Sequence, residues 1–358
     1  MSSPTPLDRF TRFSSTYIPR VNASMDEFFS RKISGAGLPV LREMYGLVHE
    51  YCSRDGKRLR PLILLMSYFG YGGASTDDII RIASALEMMH SFFLIQDDII
   101  DRSALRRGGK SLHLICGEKY GSLSHNKNIG IDVSLILADV LMAASLAVVA
   151  ESGISHRLKN RFMKIFADTY EKTAWGQILD ILHSHPRRMD RPEETVRQIA
   201  LMKTAYYTAV YPMLMGYELA GKDSSTEKKL IEKFCVPLGL AFQNRDDFLG
   251  MFGEESDTGK PSDSDIREGK ATFLVNSALR TLAGRERRRF MRLLSKKRKG
   301  RGDVNKIREM IRESGSLDEV ALLHRKLVDE SSGILPGLAL ADEFKAIAKG
   351  LIELVSMI

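Results

Sequence analysis

Cysteine is scarce in this sequence, and the positions of its cysteines predict no site. The 358 residues include only Cys52, Cys116 and Cys235, an odd number without the spacing of a zinc site. A disulfide framework needs paired thiols in an oxidising compartment, whereas isolated thiols are typical of a reducing one. We therefore expect a cytoplasmic protein whose function does not depend on thiol chemistry.

Linkers, repeats and strand patterns are also missing. No Pro/Gly/Ser-rich stretch divides the chain, no fixed-period repeat recurs, and strand-like alternation bounded by turn pairs is nearly absent. Apolar residues, 44% of the chain, instead recur at helical spacing almost throughout. The expectation is an all-α fold in one large domain, 1–358, in which residues 1–20 could form a mobile N-terminal arm.

The sequence shows no secretory signal, and its one membrane-like stretch is interrupted by charge. The first twenty residues lack the apolar run of a signal peptide. Ile131 to Ala150 resembles a membrane span in composition, but Asp132 and Asp139 interrupt it. We expect a buried core helix there and a soluble protein, with peripheral membrane contact left open.

Acidic residues are almost absent from one segment. The net charge is +8, yet Arg285 to Arg308 holds twelve Lys/Arg and two acids, a local +10 that leaves −2 for the rest. We call 284–310 the basic segment and expect two exposed helices joined by a loop near Lys299 to Gly302. Contact with anionic lipid or RNA is the alternative. Phe290 alone interleaves the basic residues, so no nucleic-acid partner is expected.

The most informative residues present are two aspartate clusters roughly 150 residues apart. They are DDIID, with Asp97, Asp98 and Asp101, and DDFLG, with Asp246 and Asp247. Carboxylates three or four positions apart on a helix share a face, so each cluster offers several hard oxygens at one place. Mg²⁺ prefers such ligands when it also holds substrate phosphates. The pattern predicts a metal-bridged diphosphate.

The first cluster follows a well-marked helix. Ser75 with Asp78 resembles a capping box, and apolar periodicity then runs from Ile79 to Ile100. At about 100° per residue, one face of this helix carries four side chains, and Asp98 lies beside that face. The four side chains are those of His90, Phe93, Asp97 and Asp101. Acids at i and i+4 repel each other and oppose the helix dipole near a C-terminus, which favours a bound cation over a plain acidic patch.

Basic residues occur where a diphosphate would need them. GKRLRP holds Gly56, Lys57, Arg58 and Arg60, and the pair Arg106-Arg107 precedes two glycines just after the first cluster. On a helix, residues 57 and 60 would share a face, and adjacent arginines can bind phosphate oxygens in a bidentate manner. Each motif alone is compatible with an ordinary loop. Together they predict one diphosphate held through Mg²⁺ and another held directly by cations.

From Tyr51 to Thr272 the chain resembles the trans-prenyl (isoprenyl) diphosphate synthases, in particular short-chain members. The ordered motifs are GKRLRP, Glu87 with His90, DDIID, RRGGKSLH (Arg106 to His113), GQILD (Gly176 to Asp180), KTA (Lys203 to Ala205), FQNRDD (Phe242 to Asp247) and GKPSDSDIREGKAT. The resemblance implies an all-α bundle around a deep central cavity, usually dimeric.

The resemblance also implies a role for each matching residue. Metal binding and catalysis are assigned to Asp97, Asp98, Asp101, Lys203, Asp246 and Asp247, of which Asp97, Asp101 and Asp246 would hold Mg²⁺. The allylic diphosphate is assigned to Arg106, Lys203, Thr204, Gln243, Lys260 and Lys270. Isopentenyl diphosphate is assigned to Gly56, Lys57, Arg60, His90 and Arg107.

Other residues near these motifs have less specific expectations. Gln177 and Asp180 share a helix face and are expected to support the site or a secondary metal. Thr173 and Trp175 are expected to pack. A lone histidine on a mixed face is usually structural, and for His90 only the surrounding motif favours a substrate role.

The implied reaction joins isopentenyl diphosphate head-to-tail to dimethylallyl, geranyl or farnesyl diphosphate by ionisation, condensation and elimination. It needs no protein nucleophile, and the segment GKPSDSDIREGK would close as a lid to exclude water. A class I terpene cyclase or a non-catalytic synthase subunit is the alternative. A basic helical nucleic-acid binder would leave the aspartates unexplained.

Two features bear on the product. The second cluster ends at Gly250 instead of a third aspartate, a form that resembles archaeal-type members and favours twenty-carbon geranylgeranyl diphosphate. Phe92 and Phe93 lie about one turn before Asp97, where two rings would shorten the cavity and favour fifteen-carbon farnesyl diphosphate. Either ring could instead pack against a neighbouring helix. The sequence therefore predicts a fifteen- to twenty-carbon product.

Overall fold

Helices make up nearly all of the protein. The computed structural model describes residues 4–123, 125–184, 192–253 and 263–357. The α-helices are α1 (Pro6–Gly35), α2 (Pro39–Ser53), α3 (Leu59–Gly70), α4 (Asp77–Asp101), α5 (Leu112–Tyr120), α6 (Ile129–Glu151), α7 (His156–His183), α8 (Glu193–Ala200), α9 (Tyr211–Leu219), α10 (Ser225–Phe252), α11 (Ser264–Glu268), α12 (Phe273–Thr281), α13 (Gly284–Leu294), α14 (Arg301–Glu313), α15 (Ser316–Ile334) and α16 (Asp342–Ser356). The all-α prediction is confirmed.

Short elements complete the described part of the chain. Two-residue strands, β1 (Leu105–Arg106) and β2 (Gly109–Lys110), pair antiparallel directly after α4. Gly121–Leu123 and Leu335–Gly337 are 3₁₀ turns, and Leu201–Val210 is a π-helix between α8 and α9. Wide helical turns of this kind are often found at functional sites.

Helix α4 carries the first aspartate cluster at its C-terminal end. Thr76, not Ser75, is its N-cap, because Thr76 has extended backbone and its hydroxyl accepts the amide of Ile79. The predicted Ser75 cap is therefore wrong by one residue. The helix ends after Asp101, where Arg102 adopts a left-handed φ of 55°. This end directs the chain into the β1–β2 turn, which brings the adjacent arginines back beside the aspartates.

One continuous hydrophobic cluster holds the helices together. It includes buried residues from α1, α3, α4, α6, α10 and α16, and α4 packs against α1, α3 and α6. Leu86, Met88 and Met89 of α4 are fully buried within it. Such a core supports the single-domain organisation, which stays a prediction.

The N-terminal residues are part of this packing. Helix α1 begins at Pro6 behind a capping box of Thr5 and Asp8, and its Phe10 and Phe13 are buried. It packs along α16, where a Cβ atom on Gly350 would lie 2.1 Å from the carbonyl oxygen of Pro6. The expected mobile arm over residues 1–20 is wrong for the described residues, because apolar side chains dock this stretch on the C-terminal helix.

Helix α6 contains the membrane-like stretch. It is the one helix in the described ranges that is long and apolar enough to cross a membrane by length and composition, and 44% of its most apolar window is buried. Leu141 is fully buried, whereas Ile136 is 63% exposed. The predicted burial of this helix therefore holds for one side only. That side packs inward, whereas the other side presents apolar side chains to the exterior.

The basic segment forms α13 and α14, as expected, but their connecting loop begins earlier, at 295–300. Phe290 and Leu294 anchor α13 in the core, while Arg285, Arg288 and other cations stay exposed. Lys299 is the exception to the expected exposure, with only 7% of the residue accessible.

Candidate active site

A cavity of about 1040 Å³ opens between α3, α4, α7, the π-helix and α10. Its lining includes most of the predicted site residues: Gly56, Lys57, Arg60, His90, Asp97, Arg106, Arg107, Gln177, Asp180, Lys203, Thr204, Gln243, Asp246, Asp247 and Lys270. Asp98 and Asp101 lie behind this lining. Lys260 and the first part of the predicted lid fall outside the described residues. Helix docking thus brings together motifs that are far apart in sequence.

Cations from three elements surround the first cluster. Asp97 accepts from Nη2 of Arg106 at 3.3 Å and from Nζ of Lys203 at 3.4 Å. Asp101 pairs with Nζ of Lys270 at 3.1 Å. Burial would lower the pKa of Lys203, but Asp180 and Asp97 outweigh it and raise that pKa above its ordinary value. The lysine therefore stays charged.

Asp98 faces the protein interior. It is 1% exposed, accepts from the hydroxyl of Tyr51 at 2.8 Å, and binds Nε of Arg106 at 2.8 Å. Asp98 therefore orients the arginine, while Asp97 faces the cavity. Sequence reasoning missed Tyr51, whose only signal was its position just before GKRLRP.

A buried glutamate holds two arginines of the basic motifs. Oε1 of Glu87 accepts from Nη1 of Arg58 at 2.7 Å and from Nη2 of Arg107 at 2.9 Å. Burial would raise the pKa of Glu87, but Arg107 and Arg58 together lower it below its ordinary value. A Cβ atom on Gly56 would lie 2.9 Å from Cζ of Arg107, so glycine lets the loop approach the guanidinium. The ion pair with Glu87 keeps the Arg107 side chain directed along the cavity wall.

The predicted shared face of Lys57 and Arg60 is wrong. Helix α3 begins at Leu59, so Lys57 lies in the preceding loop and only Arg60 is helical. The left-handed φ of 46° at Arg58 turns the chain there and sets the helix start. Both cations nevertheless line the cavity.

His90 belongs to a small aromatic network. Its Nδ1 is 2.5 Å from the hydroxyl of Tyr207, over whose ring the guanidinium of Arg60 lies at 3.9 Å. Nη2 of Arg60 also donates to Thr208 at 2.7 Å. Burial, followed by repulsion from Arg60 and Arg107, lowers the pKa of His90 well below its usual value. The imidazole is neutral, and sequence reasoning missed Tyr207 because tyrosine after KTA has no distinctive spacing.

The second cluster combines one buried and one exposed carboxylate. Asp247 is 4% exposed, whereas Asp246 is exposed. Partial desolvation by the protein around Asp246 raises its pKa to about 6, although Lys57 opposes the shift. The pKa of Asp247 is also raised well above its ordinary value by burial, even though Nε2 of Gln243 donates to this carboxylate at 2.5 Å. Thr204 in turn hydrogen-bonds Oε1 of Gln243. These carboxylates are electrostatically unsatisfied, which suits a divalent cation.

The π-helix presents Lys203 and Thr204 to this region. A Cβ atom on Gly176 would lie 2.4 Å from the backbone nitrogen of Lys203, so only glycine lets α7 approach this closely. Nζ of Lys203 donates to Asp180 at 2.6 Å. Asp180 therefore holds the lysine in place, and its neighbour Gln177 lines the cavity.

The last described part of the predicted lid is α11 and the residues after it. Nζ of Lys270 pairs with Glu268 at 2.9 Å and with Asp265 at 3.6 Å, besides Asp101. Burial raises the pKa of Glu268 to about 7. Sequence reasoning singled out neither Asp265 nor Glu268, since both sit in a segment interpreted only as a lid.

The two phenylalanines before the first aspartate cluster, Phe92 and Phe93, lie in different environments. Phe93 lines the cavity, with its ring stacked on Tyr170 at 5.6 Å and edge-on to Tyr207 at 5.2 Å. Phe92 is 1% exposed and lies behind Phe93, 5.1 Å between ring centroids, so it does not face the cavity as a second plug. Trp175 is 54% exposed, and its predicted packing is wrong for this chain by itself.

The acids fit Mg²⁺ held together with a phosphate ligand. Among the residues described, no group of three His, Cys, Asp or Glu side chains converges into a complete metal site. Asp97 and Asp246 instead face one cavity from α4 and α10. Mg²⁺ is commonly bound by one or two carboxylates plus substrate phosphates, so separated acids of this kind are a suitable donor set.

Comparisons with known proteins agree with this arrangement. The family model of polyprenyl synthetase matches residues 41–311. A geranylfarnesyl diphosphate synthase from Aeropyrum pernix is 31% identical over 315 residues, 87% of this chain and 89% of that protein. A geranylgeranyl diphosphate synthase from Saccharolobus solfataricus is 32% identical over 260 residues, 72% and 73% of the two chains. A geranylgeranyl pyrophosphate synthase from Corynebacterium glutamicum, crystallised with isoprenyl diphosphate and magnesium, has a TM-score of 0.88 at 26% identity and covers 97% and 98%.

Proposed function

Because this chain belongs to the polyprenyl synthetase family, we propose that it is a short-chain trans-prenyltransferase that joins isopentenyl diphosphate to an allylic diphosphate. The observation that carries the proposal is a single cavity with two separate cationic regions and two aspartate clusters. A terpene cyclase ionises one diphosphate and has no need for a second cationic region. A non-catalytic subunit would be expected to lack a cluster or the lysines, and both are present.

We assign the two diphosphates to the two cationic regions. The allylic diphosphate would lie between Arg106, Lys203 and Lys270, each of which contacts an aspartate of the first cluster. Isopentenyl diphosphate would lie against Arg60 and Arg107, near His90. Bidentate guanidinium contacts suit phosphate oxygens, and the neutral imidazole can donate one further hydrogen bond.

Asp97, Asp101 and Asp246 would hold Mg²⁺ with the allylic diphosphate. When bound, the ion supplies charge neutralisation for a diphosphate and for the oxygen that leaves.

The reaction begins when the bond between the allylic carbon and the diphosphate oxygen breaks. Arg106 and Lys203 stabilise the negative charge that grows on that oxygen, because fixed cations act most strongly where water is excluded. The double bond of isopentenyl diphosphate then forms the new bond to the allylic carbon. The proton lost in the elimination goes to the released diphosphate, so no protein nucleophile takes part.

Product length would be limited at Phe93. This ring, supported by Tyr170 and backed by Phe92, lines the cavity about 6 Å along α4 from Asp97 and would close it there. Relatives of this chain include proteins named farnesyl, geranylgeranyl and geranylfarnesyl synthases. We propose a fifteen- to twenty-carbon product, since one ring at the wall shortens the cavity less than two would.

We also propose a homodimer formed through α6. Ile131, Leu135 and Ile136 of this helix are 37%, 39% and 63% exposed, and Leu114 of the adjoining α5 is 37% exposed. Clustered apolar side chains on a folded surface are typical of an interaction site. A second copy of the chain would cover them, and a lipid surface is the alternative occupant. A cytoplasmic location stays a prediction.

The test uses purified protein with isopentenyl diphosphate, Mg²⁺ and dimethylallyl, geranyl or farnesyl diphosphate. Mass spectrometry should detect elongated prenyl diphosphates, and EDTA should abolish them. Asp97→Ala should lower kcat by at least about a hundredfold, while Asp329→Ala, which removes an exposed acid on α15, should leave it unchanged. If no primer is extended by folded wild-type protein, the proposal is wrong.

A further inference from the structure

The second aspartate motif ends in glycine, and an aspartate from another helix fills the space beside that glycine. A Cβ atom on Gly250 would lie 2.2 Å from Oδ2 and 2.9 Å from Cγ of Asp265. Gly250 lies near the end of α10, whereas Asp265 lies on α11. The carboxylate of Asp265 therefore occupies the volume that a side chain at position 250 would enter.

Asp265 lies near the second cluster. Asp246, Asp247, Gly250 and Asp265 line the same cavity. Gly250 follows Asp246 and Asp247 by four and three residues on α10, so these positions share one helix face, and Asp265 lies against Gly250. A divalent cation held together with diphosphate would relieve the mutual repulsion of these carboxylates.

The nearest lysine is shared with other acids. Nζ of Lys270 lies 3.6 Å from Oδ1 of Asp265, but 3.1 Å from Asp101 and 2.9 Å from Glu268. One cation among three carboxylates leaves net negative charge in this region. Oδ2 of Asp265 is the oxygen that faces Gly250, so a ligand could reach it without displacing the lysine.

Backbone contacts fix the position of α11. Nη1 of Arg267 donates to the carbonyl of Lys299 at 2.7 Å, and Nζ of Lys299 donates back to the carbonyl of Arg267 at 3.0 Å. Gly269 ends the helix with a φ of 73°, and the amides of Gly269 and Lys270 donate to the carbonyl of Asp265 at 3.0 and 3.1 Å. We call the reciprocal Arg267–Lys299 contact the clasp. It holds α11, and with it Asp265, against the cavity.

We propose that Asp265 replaces the missing third aspartate of the second motif, so that this divalent-cation site is assembled from α10 and α11 together. The inference rests on the proposed function, because it takes a divalent cation with diphosphate as the ligand. It also gives a reason for glycine at position 250, since a larger side chain would displace the carboxylate.

The first experiment measures Mn²⁺ binding by electron paramagnetic resonance, with Mn²⁺ alone and with inorganic diphosphate. Asp265→Asn should weaken one Mn²⁺ site about tenfold in the presence of diphosphate. The matched control is Asp263→Asn, which changes the acid paired with Arg267 just before the same helix but does not touch the cavity. Its Mn²⁺ affinity should equal that of the wild type.

The second experiment exchanges the two positions. Gly250→Asp alone should weaken Mn²⁺ binding, because the new side chain collides with Asp265. The double variant Gly250→Asp/Asp265→Ala should regain affinity to within about threefold of the wild type, since it returns one carboxylate to the same volume. Thermal melting identifies variants that fail to fold. The single variant Asp265→Asn is chosen because it preserves the side-chain shape and so should keep the fold intact.

The outcomes separate this inference from the proposed function. Wild-type protein that elongates a primer, together with an Asp265→Asn variant of unchanged Mn²⁺ affinity, overturns the inference and leaves the function in place. Failure of the exchange to restore binding when the fold is intact also counts against it. Wild-type protein without any prenyl transfer refutes the proposed function instead.

Discussion

Three cations of the cavity are each held by an acid that is itself buried. Arg106 is held by Asp98, Arg107 by Glu87 and Lys203 by Asp180. The accessible fractions of these acids are 1%, 0% and 7%. Fixing a cation before substrate arrives avoids reorganisation during the reaction, which is the main source of electrostatic catalysis. These three buried acids therefore position cations of the cavity.

Glu87 gives a prediction about pH. Arg107 and Arg58 outweigh burial and lower its pKa in the folded state, so its ionisation stabilises the protein above the ordinary value of 4.5. That stabilisation is lost as the pH falls through the folded-state value. Glu87→Gln should cost about 3 kcal/mol at pH 7, because it leaves two buried cations uncompensated.

Urea unfolding at pH 7 and at pH 3.5 measures this effect. The difference in unfolding free energy between wild type and Glu87→Gln should shrink at the lower pH. Glu50→Gln, which affects an acid of 56% exposure that pairs with Arg54, is the control and should change stability by less than about 1 kcal/mol. An equal cost of Glu87→Gln at both pH values would mean that packing, not charge, is responsible.

Phe93 and Phe92 give a prediction about product length. Phe93→Ala removes the ring that lines the cavity, so the main product should lengthen by one or more five-carbon units. Phe92→Ala removes only the ring behind Phe93 and should lengthen the product less, because it only allows Phe93 to move back. Mass spectrometry of the products formed from geranyl and farnesyl primers compares the two variants. Unchanged length in both variants removes the proposed limit.

At the scale of elements, the clasp links the basic segment to the cavity. Lys299 lies in the loop between α13 and α14, and burial lowers the pKa of its ammonium group. Its hydrogen bonds to the carbonyls of Arg267 and Lys296 compensate for that burial. The basic segment is therefore more than a solvated surface, because one of its lysines positions the helix that precedes Lys270.

Lys299→Met tests the clasp. Loss of the two hydrogen bonds should loosen α11 and raise KM for the allylic diphosphate by up to about tenfold. Lys297→Met changes an exposed lysine of the same loop and should leave KM unchanged. KM for isopentenyl diphosphate serves as an internal reference, because that substrate is assigned to the other cationic region. A parallel rise in both KM values would indicate a general loss of structure.

At the scale of the whole molecule, the exposed apolar side of α6 should determine assembly. Ile136→Glu places a charge in the proposed interface and should shift the protein from dimer to monomer in light scattering at micromolar concentration. Leu322→Glu is the control, because Leu322 on α15 has the same exposed fraction of 63%. A wild-type monomer that binds vesicles through α6 would support the lipid surface instead.

Much of this architecture could be predicted from local sequence. The helical class and the position of DDIID at the end of α4 follow from periodicity, which is a short-range property. The cap at Thr76 and the start of α3 at Leu59 could not be placed reliably, because neighbouring residues of similar capping ability compete and packing selects among them. The packing of the N-terminal helix α1 was missed for a related reason. Its partner, α16, lies at the other end of the chain, so no local pattern links the two.

The sequence by itself determined the chemistry of the cavity, because acidic and basic side chains keep their charges and ligand preferences wherever the chain places them. Only the tertiary structure decided that Asp98 and Glu87 orient arginines, that Phe92 lies behind Phe93, and that the carboxylate of Asp265 lies where Gly250 has no side chain. These relations depend on how distant helices dock, and close packing gives each side chain one position that no local pattern encodes.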